Sequence, residues 1–390
     1  MLVNNNKKSV CFLIESPFPY YAGGIENWLY NVSLRLSPDT QVIVLSEKPY
    51  FFKESLYQLP ESIIVRNYIT IRRYKAIRML MRLSLFYLLF SKWQVRNMRK
   101  CLTEAVEIYR VSTVIALNTM NAAAAVADVK KSNNSIFYVC SSRGPHADVI
   151  SRNHQIISNT LHRLELQNMQ KADVVWTNGF DMQDYYYKNY GIESTVMKNG
   201  VDIGKFTKET ENPYPAGSNV IVSVATLIDI KCISELIEAF ALVVKKGITN
   251  YSLFFVGKGD PTKYKELAVQ LGVEDKIFFV GHKTDVRPYL QHANIITCLS
   301  GGGGFSMAAL EAMTSCTPIV AWDTPVYRQF GRDTKTMELV PEKDVEQLAE
   351  GILRLINNKQ EYSIMSQNAI NEANKFDWRY IVDEISKTIR

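Results

Sequence analysis

The chain has 390 residues, of which 47% are hydrophobic, and its net charge is +6. This length predicts two domains with sizeable cores rather than one. The N-terminus lacks the apolar core of a signal peptide, no apolar stretch is long enough to span a bilayer, and the six cysteines form no Cys-x-x-Cys pair. We therefore expect a cytoplasmic protein with reduced thiols.

The first half of the chain alternates apolar runs with helical patterns. Continuous apolar runs are typical of buried parallel strands, and segments with helical periodicity separate them. This order predicts a Rossmann-like N-terminal domain over residues 1–206. The predicted strands are 9–14, 41–45, 113–117, 135–139 and 173–176, and the predicted helices are 25–36, 94–110, 156–170 and 181–189.

Positive charge is concentrated in one segment of this half. Residues 66–100 contain ten Lys or Arg and no Asp or Glu, so the remainder of the chain has a net charge of −4. Apolar residues at 79–81 and 83–90 interrupt the cations, a mixture that suits a helix on an anionic membrane surface. An ordinary helix pair with a solvated basic face has the same pattern, and both interpretations stay open. The segment has no nucleic-acid-reading motif, so no nucleic-acid partner is predicted.

A second alternating series follows residues 207–218, which are polar and proline-rich and have the composition of a linker. The series predicts a second doubly wound domain over 219–375, and residues 376–390 form a C-terminal helix that we expect to pack back on the N-terminal domain. A ligand is then expected at the carboxyl ends of the strands. The predicted strands are 220–224, 251–256, 277–280, 295–298 and 317–321, and the helices are 233–246, 262–271, 305–314, 344–357 and 360–374.

The most informative stretch is a glycine run that precedes a helix and a strand. Gly301–Gly304 lead into Ser306, a good helix-capping residue, and then into helix-forming residues up to Met313. A glycine turn lets the backbone approach a ligand, and the free amides of a helix start attract an anion such as phosphate. Glu311 follows in the second helical turn, and residues 318–321 have the pattern of a buried strand. The combination predicts a site for an anionic ligand.

This stretch resembles the donor-site signature of the retaining glycosyltransferases of family four, glycosyl transferases group 1, which have the GT-B fold of two Rossmann-like domains facing a cleft. The matching residues are Gly304-Phe305, Glu311-Ala312-Met313 and Pro318–Ala321, whereas Gly303 occupies the position of the family's first acidic residue. Further stretches match the family in order along the chain, at 171–175, 198–202, 239–240, 255–260, 279–281 and 285–286.

The resemblance implies a set of donor-binding residues. The glycine loop of Gly23 and Gly24, after the first strand, is expected over the donor diphosphate or the acceptor. Lys231 corresponds to a lysine that stabilises the departing diphosphate, and Glu311 to a carboxylate that accepts hydrogen bonds from the ribose hydroxyls. The remaining implied contacts to phosphate, sugar and base use the backbone at His282, Lys283, Thr284, Gly303, Gly304, Phe305, Ser306 and Met307.

The first domain contains a segment, 141–146, that resembles a Pro-Arg-Gly segment on the acceptor side of some family members. Arg143 is expected to hold a charged acceptor or a phosphate, and His146 to contact the acceptor or the transferred sugar. Catalysis is then assigned to His146, Lys231 and the amide of Gly304. No Asp-x-Asp pair and no His/Cys cluster at ligand spacing is present, so no metal site is predicted.

The implied function is a metal-independent, retaining transfer of a sugar from a nucleotide diphosphate sugar, taken as UDP-linked, to a glycan or lipid-linked acceptor. Such a reaction belongs to surface polysaccharide or glycolipid synthesis, at the inner face of a membrane, and needs no resident cofactor. The alternative is a non-catalytic binding subunit, because Thr226 replaces the family's usual arginine and Gly303 its first acid. A sugar-nucleotide epimerase would need acid–base pairs at the sugar, for which the sequence offers no good candidates.

Overall fold

The computed structural model describes residues 7–21, 23–49, 54–70, 75–301, 305–331 and 335–390. The chain divides into two compact units. The N-terminal unit comprises the residues up to Asn199 together with Trp378–Arg390, and the C-terminal unit comprises Gly200–Asp377.

The N-terminal unit is built on a seven-stranded parallel sheet with the order β3-β2-β1-β4-β5-β6-β7. Its central strands are buried on both faces, as in β4, where every residue is buried, which explains their continuous apolar sequences. The order reverses between β1 and β4, and such a switch point is where ligands bind in open α/β sheets. The strands are β1 Lys8–Leu13, β2 Thr40–Glu47, β3 Ile63–Tyr68, β4 Thr113–Ala116, β5 Phe137–Ser142, β6 Val174–Thr177 and β7 Thr195–Val196.

Helices surround this sheet. The alanine-rich helix α4 packs closely on α3, since small side chains let two helices approach. The last helix of the chain, α16, packs on α1, and Lys8 Nζ donates to the carbonyl oxygen of Ile389, 2.7 Å away. The helices are α1 Gly24–Leu36, α2 Lys75–Leu80, α3 Ser84–Tyr109, α4 Asn121–Ser132, α5 His146–Ser151, α6 Ser158–Gln170, α7 Phe180–Tyr190 and α16 Trp378–Thr388.

The C-terminal unit has a six-stranded parallel sheet with the order β10-β9-β8-β11-β12-β13. Its central strands β11 and β12 are fully buried, and the strand order again reverses between β8 and β11. The carboxyl ends of β8 and β11 are therefore adjacent. The strands are β8 Asn219–Val224, β9 Tyr251–Val256, β10 Ile277–Gly281, β11 Ile295–Cys298, β12 Ile319–Trp322 and β13 Glu338–Val340.

The helices of this unit bury regular apolar stripes. In α14 the buried residues Leu348, Ile352 and Leu355 recur at helical spacing, and the Asp344 carboxylate caps the helix by accepting from the Gln347 amide at 3.0 Å. The helices are α8 Ile203–Phe206, α9 Ile233–Lys245, α10 Thr262–Gln270, α11 Arg287–Gln291, α12 Met307–Met313, α13 Pro325–Arg328, α14 Val345–Asn357 and α15 Lys359–Ala373.

The predicted boundary between the domains needs correction. Residues 200–206, assigned above to the first domain, belong to the C-terminal unit. Residues 207–218 are not a free linker, because they pack on that unit: the Tyr214 ring is buried against Phe254, and its hydroxyl donates to the Tyr289 carbonyl at 2.7 Å. The polar and proline-rich composition predicts a free linker, but the contacts of Tyr214 attach the segment to the C-terminal unit.

No helix in the described parts of the chain is both long and apolar enough to cross a bilayer. All six cysteines are free thiols, and burial raises the pKa of Cys11, Cys140 and Cys298, so these three stay protonated at neutral pH.

Candidate active site

The predicted donor residues of the C-terminal unit follow three strands of one sheet. Lys231 comes after β8, Ser306 after β11, and His282 after β10. Because the carboxyl ends of parallel strands lie along one edge of a sheet, these loops share that edge. Lys231 and Ser306 line the same small cavity of about 40 Å³, together with Ser300 and Tyr327. His282 does not line it.

Lys231 ends a 3-10 turn, Asp229–Lys231, and is half-buried. Its Nζ donates to Ser300 Oγ at 2.9 Å, which leaves two of its three donor hydrogens for a ligand. Burial lowers the pKa of the ammonium group. The next residue, Cys232, has φ of 51°, a left-handed conformation that ends the turn before α9 and is held by its burial. The geometry presents one cation at the sheet edge.

The loop that leads to Lys231 packs against the glycine-containing loop after β9, residues 257–259. A Cβ at Gly257 would collide with the carbonyl oxygen of Ala225, and Gly259, at φ of 133°, lies against Leu227. The Leu227 amide donates to the Lys258 carbonyl at 2.8 Å. The glycines are required for this close approach, which fixes the path of the chain from Ala225 towards Lys231.

The start of α12 has the geometry predicted for an anion site. Ser306 is the N-cap and accepts a hydrogen bond from the Ala309 amide at 3.2 Å, and Met307 is the first helical residue. Phe305 is half-buried, with its ring 5.1 Å from that of Phe330. The other two predicted residues of this loop, Gly303 and Gly304, lie outside the described residues.

Glu311 lies on α12, four residues after Met307, and its side chain is half-buried beside buried apolar residues of the same helix. Burial raises the pKa of its carboxyl group to about 7, and the positive charge of Lys205 opposes this rise. Within the described part of the chain its carboxyl group has no hydrogen-bond partner. A half-buried carboxyl group with a raised pKa and no protein donor is suited to accept hydrogen bonds from a ligand.

The loop of His282, Lys283 and Thr284 is exposed and follows β10, the edge strand of the sheet. Gly281, at φ of 77°, turns the chain into this loop, and the ion pair of Arg287 with Asp285 closes it. The side chains are free to move aside, so only the backbone of the loop is held in place. A role in contacting a nucleotide base remains a prediction.

The glycine loop of the N-terminal unit contains a buried acid that the sequence did not single out. Gly23 is the extended N-cap of α1, and Gly24 is its first residue. A Cβ at Gly23 would collide with the carboxylate of Glu26, which is buried and accepts a hydrogen bond from Ser16. A side chain at position 23 would therefore displace the Glu26 carboxylate, and the contact of Gly23 with a ligand stays a prediction.

Arg143 follows β5 and lies over the ring of Trp28, with 3.8 Å between its Cζ and the ring centroid. Nη1 donates to Asn199 Oδ1 at 3.1 Å, whereas Nε and Nη2 are buried and have no partner among the described residues. Burial lowers the pKa of the guanidinium group to about 9, so it is charged at neutral pH. Two unsatisfied donors on a buried cation indicate a site for an anionic group.

His146 is the first residue of α5, and its Nδ1 lies 3.0 Å from Thr119 Oγ1. Burial lowers the pKa of the imidazole to about 4, so the ring is neutral at physiological pH. It is thus a fixed, uncharged side chain and not a solvated loop histidine.

Arg143 and His146 line one cavity of about 1050 Å³ in the N-terminal unit. Glu15, after β1, also lines it and accepts hydrogen bonds from the Ala122 amide at 3.1 Å and from Asn121 Nδ2 at 3.2 Å, at the start of α4. The sequence analysis did not select Glu15. The signal that could have found it is an acid directly after the first strand, next to the predicted switch point. The other residues on the cavity wall include Arg82, Tyr87, Asn118 and His154.

Among the described residues no group of three or more His, Cys, Asp or Glu side chains could hold a metal ion.

Comparison with known families gives the identity of the C-terminal unit. Residues 205–372 match the family model of glycosyl transferases group 1. This part of the chain is similar to the glycosyl transferases group 1 family. The match covers Lys231, the loop before α12 and Glu311, so the residues predicted to bind the donor lie in the matched part. The family predicted from the sequence is confirmed.

Two curated relatives of this family are similar to the chain. The phosphatidyl-myo-inositol mannosyltransferase of Mycobacterium leprae is 24% identical over 205 residues, which are 50% of this chain and 53% of that protein. The poly(ribitol-phosphate) alpha-N-acetylglucosaminyltransferase of Staphylococcus aureus is 26% identical over 260 residues, 59% of this chain and 50% of that protein. The chain thus spans about half the length of the curated relatives it matches.

Solved structures extend the similarity to both units. HepE from Anabaena, in complex with UDP, is 18% identical and has a TM-score of 0.74 over 97% of this chain and 99% of its own. Another structure of HepE contains UDP-glucose. At this identity the likeness shows the fold alone, and that fold is GT-B, as predicted from the sequence.

Proposed function

We propose that the chain is a glycosyltransferase that moves a sugar from a nucleotide diphosphate sugar to an acceptor hydroxyl. One observation carries the proposal. Within the family match, a half-buried cation (Lys231), a capped helix start (Ser306 and Met307) and a half-buried acid (Glu311) lie along one sheet edge. A nucleotide diphosphate sugar presents the complementary groups: a negatively charged diphosphate for the cation and the helix-start amides, and a ribose with two vicinal hydroxyls for the acid.

Lys231 is proposed to stabilise the leaving group. When the bond between the sugar and the β-phosphate breaks, negative charge develops on the diphosphate, and a preorganised cation and helix-start amides lower the energy of that state. Ser300 holds Lys231 Nζ in place before the donor binds. The positive charge of Lys231 is fixed and needs no metal ion, which supports metal-independent transfer without a resident cofactor.

We propose UDP as the nucleotide, since HepE binds UDP and UDP-glucose and has the same fold. Glu311 is proposed to accept hydrogen bonds from both ribose hydroxyls, which would supply the partners that its carboxyl group lacks. Retention at the anomeric carbon is proposed as a property of the family.

The acceptor is proposed to bind in the N-terminal cavity and to have an anionic group. The two unsatisfied donors of Arg143 support this, because they fit two oxygens of a phosphate. The names of both curated relatives describe phosphate-containing acceptors, a phosphatidylinositol and a poly(ribitol phosphate). A phosphate in the glycan or lipid-linked acceptor would thus pair with Arg143.

A membrane location at the inner face is proposed from α3. Its first turns expose the apolar side chains of Leu85 and Leu89, and the cations Lys92, Arg96 and Arg99 follow on the same helix without an ion-pair partner in the described chain. An apolar groove of about 350 Å³ lies beside these cations, between α3, α4 and α6. Exposed apolar residues next to unpaired cations fit a surface of anionic lipid. Arg72 and Arg73 lie outside the described residues.

Vesicle binding tests the membrane proposal. The protein is expected to co-sediment with vesicles that contain phosphatidylglycerol, and less so as salt is raised, because ions screen exposed charges. Changing Lys92, Arg96 and Arg99 to Gln should weaken the partition coefficient by about 100-fold, at about 1 kcal/mol per cation. The matched control changes Lys245, Lys246 and Lys265, exposed lysines of the C-terminal unit, and should bind as wild type does. Equal loss in both triple variants would refute a specific role for α3.

The competing function is a non-catalytic binding subunit, since Thr226 and Gly303 replace an arginine and an acid of the family. Turnover separates the two. We expect the protein to consume a UDP-sugar when lysate glycolipids are supplied, at an unchanged rate after treatment with EDTA. Lys231→Ala should abolish this consumption. A protein that binds UDP but neither transfers nor hydrolyses any nucleotide sugar, over a broad screen of donors, would establish the binding-subunit function.

A further inference from the structure

A chain of buried side chains leads from His146 into the interior of the N-terminal unit. His146 Nδ1 is 3.0 Å from Thr119 Oγ1, and the same Thr119 oxygen is 2.5 Å from Glu165 Oε1. Glu165 is fully buried on α6, and its Oε1 also accepts from the Tyr186 hydroxyl at 3.1 Å. Glu165 does not line the cavity itself, and Thr119 is the side chain that connects it to the His146 ring.

The position of Thr119 is itself fixed. Asn168 Nδ2 donates to the carbonyl oxygen of Thr119 at 3.0 Å, and Thr119 is completely buried. The side chain therefore has one orientation in which it contacts His146 and Glu165 together. The single hydroxyl hydrogen of Thr119 can serve only one of them.

The carboxylate takes that hydrogen. Thr119 Oγ1 and the Tyr186 hydroxyl both donate to Glu165 Oε1, at 2.5 Å and 3.1 Å, so this oxygen is the acceptor in both contacts. In its contact with His146, Thr119 Oγ1 can then act only as the acceptor. The hydrogen in that contact must then come from the imidazole, on Nδ1.

This tautomer determines what His146 offers a ligand. With the hydrogen on Nδ1, the other ring nitrogen, Nε2, has a free lone pair and accepts hydrogen bonds. Nε2 has no partner in the described chain, and His146 lines the cavity that contains Arg143. A neutral imidazole in water favours the tautomer with the hydrogen on Nε2. The Nδ1–H tautomer of His146 therefore has to be imposed by its hydrogen-bond partners.

We propose that Glu165 is a positioning residue that, through Thr119, holds His146 in the Nδ1–H tautomer, so that Nε2 accepts a hydrogen bond from a sugar hydroxyl in the cavity. The tautomer is inferred from the hydrogen-bond geometry alone. The identification of the ligand group as a sugar hydroxyl rests on the proposed function. The hydroxyl belongs to the acceptor or to the transferred sugar, which have the same chemistry.

The tautomer can be measured without any substrate. Full-length protein labelled with ¹⁵N-histidine gives long-range ¹H–¹⁵N spectra in which a protonated and an unprotonated ring nitrogen have well-separated shifts. The signal of His146 is assigned by its loss in His146→Gln. At pH 7 we expect a protonated Nδ1 and an unprotonated Nε2. A wild-type spectrum with the hydrogen on Nε2 overturns the proposal, whether or not the protein is an enzyme.

Variants test whether Glu165 acts through Thr119. Glu165→Ala frees the Thr119 hydrogen to donate to Nδ1, and Thr119→Val removes the acceptor, so both should move the hydrogen of His146 to Nε2. Thr119→Ser keeps the hydroxyl and should keep the wild-type tautomer. The signals of the other four histidines report whether each variant is folded. An unchanged His146 spectrum in a folded Glu165→Ala protein refutes the relay.

Kinetics identify the source of the hydroxyl. Thr119→Val should lower kcat/KM by about tenfold, the effect of one hydrogen bond, and Thr119→Ser should restore it. If KM for the acceptor rises, the hydroxyl belongs to the acceptor. If KM for the nucleotide sugar rises, the hydroxyl belongs to the transferred sugar. If Thr119→Val changes the tautomer but neither constant, Nε2 accepts no substrate hydroxyl and that part of the proposal is wrong. Absence of turnover in wild type refutes the proposed function and leaves the tautomer result intact.

Discussion

Replacing Lys231 with alanine is expected to weaken UDP binding by about 10- to 100-fold. The side chain is a half-buried cation whose Nζ is fixed by Ser300, and a hydrogen bond to a charged group contributes about 1.5–3 kcal/mol. The loss in kcat should be at least as large, because the charge on the diphosphate increases as the sugar departs. Titration calorimetry with UDP measures the first quantity, and release of UDP from a nucleotide sugar measures the second.

The control for this variant is Lys246→Ala, which removes an exposed lysine of the same unit that pairs with Glu350 on the surface. It should leave UDP binding unchanged. A comparison of UMP with UDP adds a second check: loss of Lys231 should weaken UDP much more than UMP, because UMP lacks the β-phosphate. Equal losses for the two nucleotides would show that Lys231 supports the loop rather than the diphosphate.

Much of the fold could be predicted from the sequence because its central strands are buried on both faces and appear as continuous apolar runs. The edge strands β3, β7 and β13 were missed, since β3, Ile63–Tyr68, is only partly buried and includes charged and polar residues, and β7 has only two residues. Helix α4 was missed as well, because its alanine run has no apolar–polar period. The predicted helix 94–110 begins ten residues earlier, at Ser84, where apolar residues on several faces hid the helical pattern.

The site was predictable where its residues are close in sequence. The glycine run, the N-cap Ser306 and Glu311 lie within one short stretch, and their order alone indicated an anion site. Glu15, Thr119 and Glu165 could not be found in this way, because they lie on separate elements and only the folded sheet and its helices bring them towards His146. Thr119 and Glu165 alone have the sequence context of ordinary polar residues, whereas the position of Glu15 directly after the first strand is a signal that could have been used.

Glu311→Gln is expected to make the ligand-free protein more stable at pH 8 and, at the same time, weaker in binding UDP. Burial raises the pKa of Glu311 to about 7, above the usual value of 4.5 for an unfolded chain. For an acid with a raised pKa, the folded state holds its proton more tightly than the unfolded state does. Stability from this group is therefore full below about pH 4.5, falls as pH rises towards 7, and is lost above it.

The size of this effect follows from the shift. Each pKa unit corresponds to 1.36 kcal/mol, so the full shift is equivalent to about 3 kcal/mol, and solvent screening of this half-buried group reduces the cost of ionisation at pH 8 to on the order of 1–3 kcal/mol. Gln has the same shape and no charge, and it avoids that cost. Thermal unfolding at pH 5 and pH 8 measures the difference: the gain of the variant over wild type should be larger at pH 8. A gain of equal size at both pH values would show that Glu311 is not the group that titrates.

Binding should change in the opposite direction because the ribose needs an ionised carboxylate. In wild type, affinity for UDP should rise as pH increases through 7. The pH profile of the Gln variant serves as the control, because it contains only the titration of the nucleotide. The loss in the variant should be much smaller for 2′-deoxy-UDP, which already lacks one of the two hydroxyls. A residue present only for packing would lose stability on substitution and would not distinguish the two sugars. Gain of stability together with loss of ribose-dependent affinity is therefore the combination that identifies Glu311 as a ligand-binding residue, kept at a cost to the fold.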